Sequence, residues 1–173
     1  MEDLFGSGIV DMPLLNYTTK ISTDRTVGEI QKMLAKAGAK AILSEYDNEG
    51  EVSAVSFKML VNGNEVCFQL PIAPEKVLTV LRGQRGVETR YKTPEQAKRV
   101  AWRIIKDWVE AQLAIIETQM VKPEQVFLPY AITQSGETLY ESVVKNQLLG
   151  TGEQGCKWGT VENLPATLPE IEG

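Results

Sequence analysis

Nine residues between Arg82 and Lys106 are of the types that hold phosphate and stack on bases. Arg82, Arg85, Arg90, Lys92, Lys98, Arg99, Arg103 and Lys106 are cations, and Tyr91 stands between two of them. Only Glu88 and Glu95 oppose them, so this segment is net +6 in a chain whose net charge is −5. The remainder, with 10 basic and 21 acidic residues, is net −11. Cations with an interleaved aromatic ring suit a single-stranded nucleic acid, because charge neutralises phosphates and the ring offers a stacking surface. The competing reading is a solvated helix face laced with pairs such as Arg103–Asp107 and Lys106–Glu110 at i, i+4 spacing.

Other chemistry is sparse. The chain has no histidine, which removes Ser-His-Asp and Cys-His catalysis, imidazole metal sites and histidine pH switching. Glu45, Asp47, Glu49 and Glu51 crowd one turn, but their spacing is not that of a calcium loop, and a solvated hairpin is expected. Cys67 alternates with Val66 and Phe68 and is expected to be a packed, inert side chain, while Cys156 sits in the tail. With only these two cysteines, a reducing, cytoplasmic setting is expected rather than a disulfide framework. Gly83-x-x-Gly86 follows a helix signal rather than a strand, so it is not a phosphate loop. The expectation is a non-enzymatic protein with no catalytic residue, no metal site and no cofactor.

The elements that would position the cations follow from periodicity. Thr26-Val27-Gly28-Glu29 has the form of a capping box, and Ile30, Met33, Leu34 and Ala37 recur at helical spacing before Gly38. Three strands follow. Ala41–Tyr46 runs into the polar turn at 47–50, and Val55, Phe57, Met59 and Val61 alternate with Ala54, Ser56 and Lys58. Asn62-Gly63 is a hairpin signal, and Val66, Phe68 and Leu70 carry the third strand to Pro71. Pro74 opens a short helix closed by Gly83. Thr93-Pro94-Glu95-Gln96 then opens a long helix to about Thr118, with Thr93 as cap and Gln96 as the returning side chain.

On that helix Arg99, Arg103 and Lys106 fall at i, i+4 and i+7, opposite two adjoining apolar stripes. One stripe holds Ala97, Ala101, Ile104, Trp108, Ala111 and Ile115; the other holds Trp102, Ile105, Val109, Leu113 and Ile116. Together they span roughly half the circumference, so the helix needs a second helix or another subunit besides the sheet. Beyond Pro123, Val126–Tyr130 reads as extended and Ser135-Gly136 precedes a helix carrying Leu139, Tyr140, Val143 and Val144. The fold class is α+β, a three-stranded antiparallel meander packed by helices in the order α-β-β-β-α-α. Its expected divisions are a leader at 1–20, one domain at 21–149, and a flexible acidic tail at 150–173 that could also dock a partner protein. No apolar run reaches membrane-span length, and no membrane partner is expected.

The runs TVGEIQKMLAKAGAKAILSEYD, TPEQAKRVAWRIIKDWVEAQLAIIE and VFLPYAI resemble an uncharacterised protein family of bacteriophage and prophage genomes, over about residues 13–145. That family carries over no catalytic residues. In topology, a meander followed by a long helix is similar to the core of single-strand annealing proteins, which oligomerise and bind DNA along a basic groove. These resemblances imply a phage protein of replication or recombination in a bacterial host cell, an oligomer, and DNA in preference to RNA. The alternative is an accessory or inhibitor that binds a host enzyme through acidic surface. The double-stranded RNA-binding domain shares the α-β-β-β-α order, but its lysine-rich second-helix motif is not found here.

Overall fold

A computed structural model of the chain describes residues 12–146. Residues 1–11 of the expected leader, the whole 150–173 tail and Cys156 lie outside the described residues. Helix α1 (Thr23–Lys36) is followed by β1 (Ala41–Tyr46), β2 (Val52–Val61) and β3 (Asn64–Gln69), then by α2 (Pro74–Gly83) and α3 (Pro94–Glu117). Two short helices close the described chain, α4 (Pro123–Phe127) and α5 (Leu139–Lys145). The three strands form one antiparallel sheet in the order β1-β2-β3. The chain is therefore α+β.

The meander follows from its turn and its alternation. Asn62 and Gly63 take φ of 50° and 82°, the left-handed pair that matches the twist of a two-residue hairpin. That turn sets Phe57 opposite Phe68 and Met59 opposite Val66; β1 adds Ile42 opposite Phe57 and Ser44 opposite Val55. Val55, Phe57, Met59 and Phe68 are buried on one face. They meet Val27, Ile30 and Leu34 of α1 and Trp102, Ile105 and Val109 of α3 in a single core. Phe57 and Phe68 stack with centroids 5.4 Å apart, and Phe127 meets Phe57 edge-on at 5.3 Å. On the other sheet face Leu43, Leu60 and Cys67 are exposed among the described residues. Cys67 is thus an exposed thiol and not a packed one among the described residues, because it faces away from α1 and α3.

The two-stripe helix finds its second partner inside the chain. α3 packs against both α1 and α2, and Trp102 and Val109 are fully buried. A smaller core joins Leu81, Val87 and Ala97 to Leu14 and Tyr17, so residues 12–20 dock on the body rather than standing apart. Gln96 makes that docking possible. Its Nε2 donates to the carbonyls of Tyr17 and Thr19 at 2.8 and 2.9 Å, so it does not return to cap α3. Thr93 does cap α3, accepting from the Gln96 amide.

Other local expectations shift. α1 begins one turn early, with Ser22 as its cap; Thr26 is buried and its hydroxyl donates back to the Ser22 carbonyl. Gly38, at φ 97°, ends α1 in a Schellman motif, Ala39 N–H donating to Leu34 and Gly38 N–H to Ala35. Val126–Tyr130, expected to be extended, is helical, completing α4 and a 3-10 turn at Leu128–Tyr130. Pro123 and Pro129 both stand in first helical turns there, where their missing N–H costs nothing.

Candidate nucleic-acid interface

The cations divide into two sets. Those of α3 other than Arg99 are tied to carboxylates. Arg103 Nη1 donates to Glu29 of α1 at 2.6 Å, and its side chain is only 13% exposed. Lys98 reaches Asp47 in the β1–β2 turn at 3.0 Å. Lys106, 15% exposed, binds Glu110 at 2.5 Å and Asp107 at 3.5 Å. The arrangement leaves electrostatic traces. The Arg103 hydrogen bond holds the Glu29 carboxyl below its ordinary pKa, and the Lys98 hydrogen bond does the same for Asp47. Glu110 raises Lys106.

Arg99 alone on this ridge is exposed and has no ion pair among the described residues. It borders a cleft of about 300 Å³ where it and Lys98 are outnumbered by Asp24, Glu49, Glu51 and Glu95. Carboxylates therefore interleave the whole ridge, and a polyanion would meet them as well as the cations. The expected i, i+4 pair Lys106–Glu110 is present, whereas Arg103 takes Glu29 in place of Asp107. The acidic turn serves the fold. Asp47 Oδ1 accepts the amides of Glu49 and Glu51, and among the described residues no group of three acidic or cysteine side chains is placed to hold a metal.

The second set lies at the end of α2, where Arg82 stands in the last turn, and on the connection from α2 to α3. Lys92 Nζ donates to the carbonyls of Arg82 and Gln84 at 3.3 and 2.8 Å, satisfying the end of α2 and drawing the two ends of the connection together. Arg82 and Arg85 are exposed and form no ion pair among the described residues. Arg90 is 67% exposed, pairs with Glu88 at 2.9 Å and places its guanidinium over the Tyr91 ring, 4.8 Å from the centroid. Tyr91 is half-buried and meets Tyr17 edge-on at 5.5 Å. Its ring is therefore occupied on one face by Arg90 and held by the Tyr17 contact, and Arg90 is the outward planar group.

No protein-family model, curated protein or solved structure matches the chain.

Of the nine residues singled out from sequence, Arg82 falls in the last turn of α2, and Arg85, Arg90, Tyr91 and Lys92 fall on the connection that follows it. The fold assigns Lys98, Arg103 and Lys106 to ion pairs and leaves Arg99 apart in a mixed-charge cleft. The residues that sequence spacing missed are the partners, Glu29 and Asp47. They stand 74 and 51 positions from Arg103 and Lys98, and no local pattern reports contacts at that separation. The Arg90–Tyr91 couple was open to view, being adjacent in sequence. Among the described residues no helix is long and apolar enough to cross a membrane.

Proposed function

We propose that the chain is a non-enzymatic protein that binds single-stranded nucleic acid through the end of α2 and the connection from α2 to α3. The observation that carries this reading is that Arg82 and Arg85 are exposed and form no ion pair among the described residues, while nearby in sequence the Arg90 guanidinium lies over the Tyr91 ring. Phosphates meet Arg82 and Arg85. An unpaired base stacks on the outer face of Arg90, which Tyr91 supports from behind. A duplex hides its base faces, so the geometry favours a single strand. The reading extends to DNA in preference to RNA, to action as an oligomer, and to a role in phage replication or recombination in a bacterial host cell.

The charge distribution favours a second reading, an accessory protein. Residues 12–146 carry 17 basic and 16 acidic residues, net +1, whereas the residues outside them carry one basic and seven acidic, net −6. Those acidic segments are suited to a basic protein partner.

Fluorescence anisotropy of a labelled single-stranded oligonucleotide across a salt series separates the two. Engagement of two phosphates, one at Arg82 and one at Arg85, predicts a log–log slope of roughly −1.4, at about −0.7 each. The Arg82→Glu/Arg85→Glu double variant should lose binding without losing stability, since neither side chain is packed. Equal binding by parent and double variant, or no binding by the parent at low salt, sinks the nucleic-acid reading.

A further inference from the structure

The apolar stripe of α3 outlasts the helix beside it. α1 ends at Lys36, and near that level Leu113, Ala114 and Ile116 form one wall of a groove of about 490 Å³ whose other wall is Met33, Lys36 and Ala37. Leu113 and Ile116 are half-buried there, and Ala114 is exposed. Close by in sequence, Ile115 is 37% and Met120 73% exposed. The end of α3 is thus apolar without full cover among the described residues.

Charge identifies the occupant. The last turn of α3 has no basic residue and ends in Glu117, whose carboxylate adds to the negative end of the helix dipole. Lys36 and Glu117 both line the groove, yet neither forms an ion pair among the described residues. A foreign helix would have to bring a cation for Glu117 and an anion for Lys36 at the matching spacing. A second copy brings both without further adjustment. A twofold axis across the groove sets Lys36 of each copy against Glu117 of the other and lays the apolar patch on itself.

We propose that this groove is the contact surface of a symmetric dimer of the chain. Met33, Leu113 and Ile116 supply its apolar centre and two reciprocal Lys36–Glu117 pairs border it. The rim pairs fix orientation and register, and the apolar centre supplies most of the affinity. This inference does not rest on the nucleic-acid reading, because Arg82 and Arg85 do not line the groove, so dimerisation and binding fail separately.

Sedimentation of the full-length protein over a micromolar concentration series tests it. The expected result is a monomer–dimer equilibrium that Ala114→Glu shifts to monomer, with an unchanged circular-dichroism spectrum. Lys36→Glu and Glu117→Lys should each weaken the dimer about tenfold, and the double variant should restore it. A parent that is monomeric at every concentration overturns the proposal. So does a dimer indifferent to Ala114→Glu, or a charge swap that restores nothing.

Discussion

Arg103→Glu separates a structural ridge from a binding ridge. If the basic face of α3 met phosphate, reversal would weaken binding and leave the fold intact. The structure points the other way. Arg103 is 13% exposed and bonded to Glu29 at 2.6 Å, Glu29 being 32% exposed. Removing one partner of a half-covered pair lies between the 0.2–1 kcal/mol of an exposed pair and the 3–5 kcal/mol of a buried one, about 1–2 kcal/mol. Reversal also sets two carboxylates near 4 Å, adding roughly 1–4 kcal/mol between the water and protein-surface limits of the dielectric. The sum, about 2–6 kcal/mol, is a large part of the roughly 5–15 kcal/mol that holds a domain folded. Urea unfolding should show a much lower midpoint for Arg103→Glu, with substantial recovery in Arg103→Glu/Glu29→Arg.

The pH dependence has a definite sign. Glu29 has a lowered folded-state pKa, chiefly through the Arg103 hydrogen bond. Its stabilisation is therefore present above the ordinary carboxylate value near 4.5 and lost as pH falls through the depressed value. Glu29→Gln should unfold at a lower urea midpoint than the parent at neutral pH, and the gap should close in acid. An Arg103→Glu variant that unfolds with the parent while losing oligonucleotide binding would refute this reasoning and restore Arg103 to the interface.

Three further outcomes are expected. Gln96→Ala removes two hydrogen bonds to Tyr17 and Thr19, so it should cost about 1–2 kcal/mol and raise amide exchange across residues 14–20, read by mass spectrometry. Gly38→Ala meets no steric contact but forces a side chain to φ 97°, and its urea midpoint should fall by the equivalent of about 1–2 kcal/mol. Trp102→Ala should cost about 3–5 kcal/mol, whereas Trp102→Phe should cost markedly less than its lost volume suggests. The Trp102 Nε1 is buried with no acceptor among the described residues, and phenylalanine removes that stranded donor; equal midpoints for the two variants would contradict this.

Where local chemistry decides structure, the sequence was readable. Asn62-Gly63 fixes a hairpin because two consecutive positive φ angles are needed, and alternation over Val55–Val61 then sets the buried face. Thr93-Pro94 marks the start of α3 because a capping hydroxyl and a fixed φ both act within one turn. The start of α1 is ambiguous in sequence because Ser22 and Thr26 both qualify as caps, and only the packed position of Thr26 decides between them. The exposure of Cys67 is not legible in sequence, because alternation reveals which residues share a face and not whether the opposite face is covered. The site divides in the same way. Spacing puts Arg99, Arg103 and Lys106 on one ridge, but whether a cation is free depends on carboxylates delivered by α1 and the β1–β2 turn. Arg82 and Arg85 are candidates because no carboxylate of the described residues pairs with them.

The placement of α1 and α3 on one face of the meander also imposes an order on synthesis. Val55, Phe57 and Phe68 need Trp102, Ile105 and Val109 as cover, and those residues leave the ribosome after the whole sheet has emerged. Until then the strands expose an aromatic face that α1 alone shields only in part, together with unpaired edges. A nascent chain paused between β3 and α3 is therefore the species most prone to aggregate. A pause that leaves β3 emerged and α3 still inside the ribosome should lower the yield of folded protein, whereas the same pause placed once Phe127 has emerged should not.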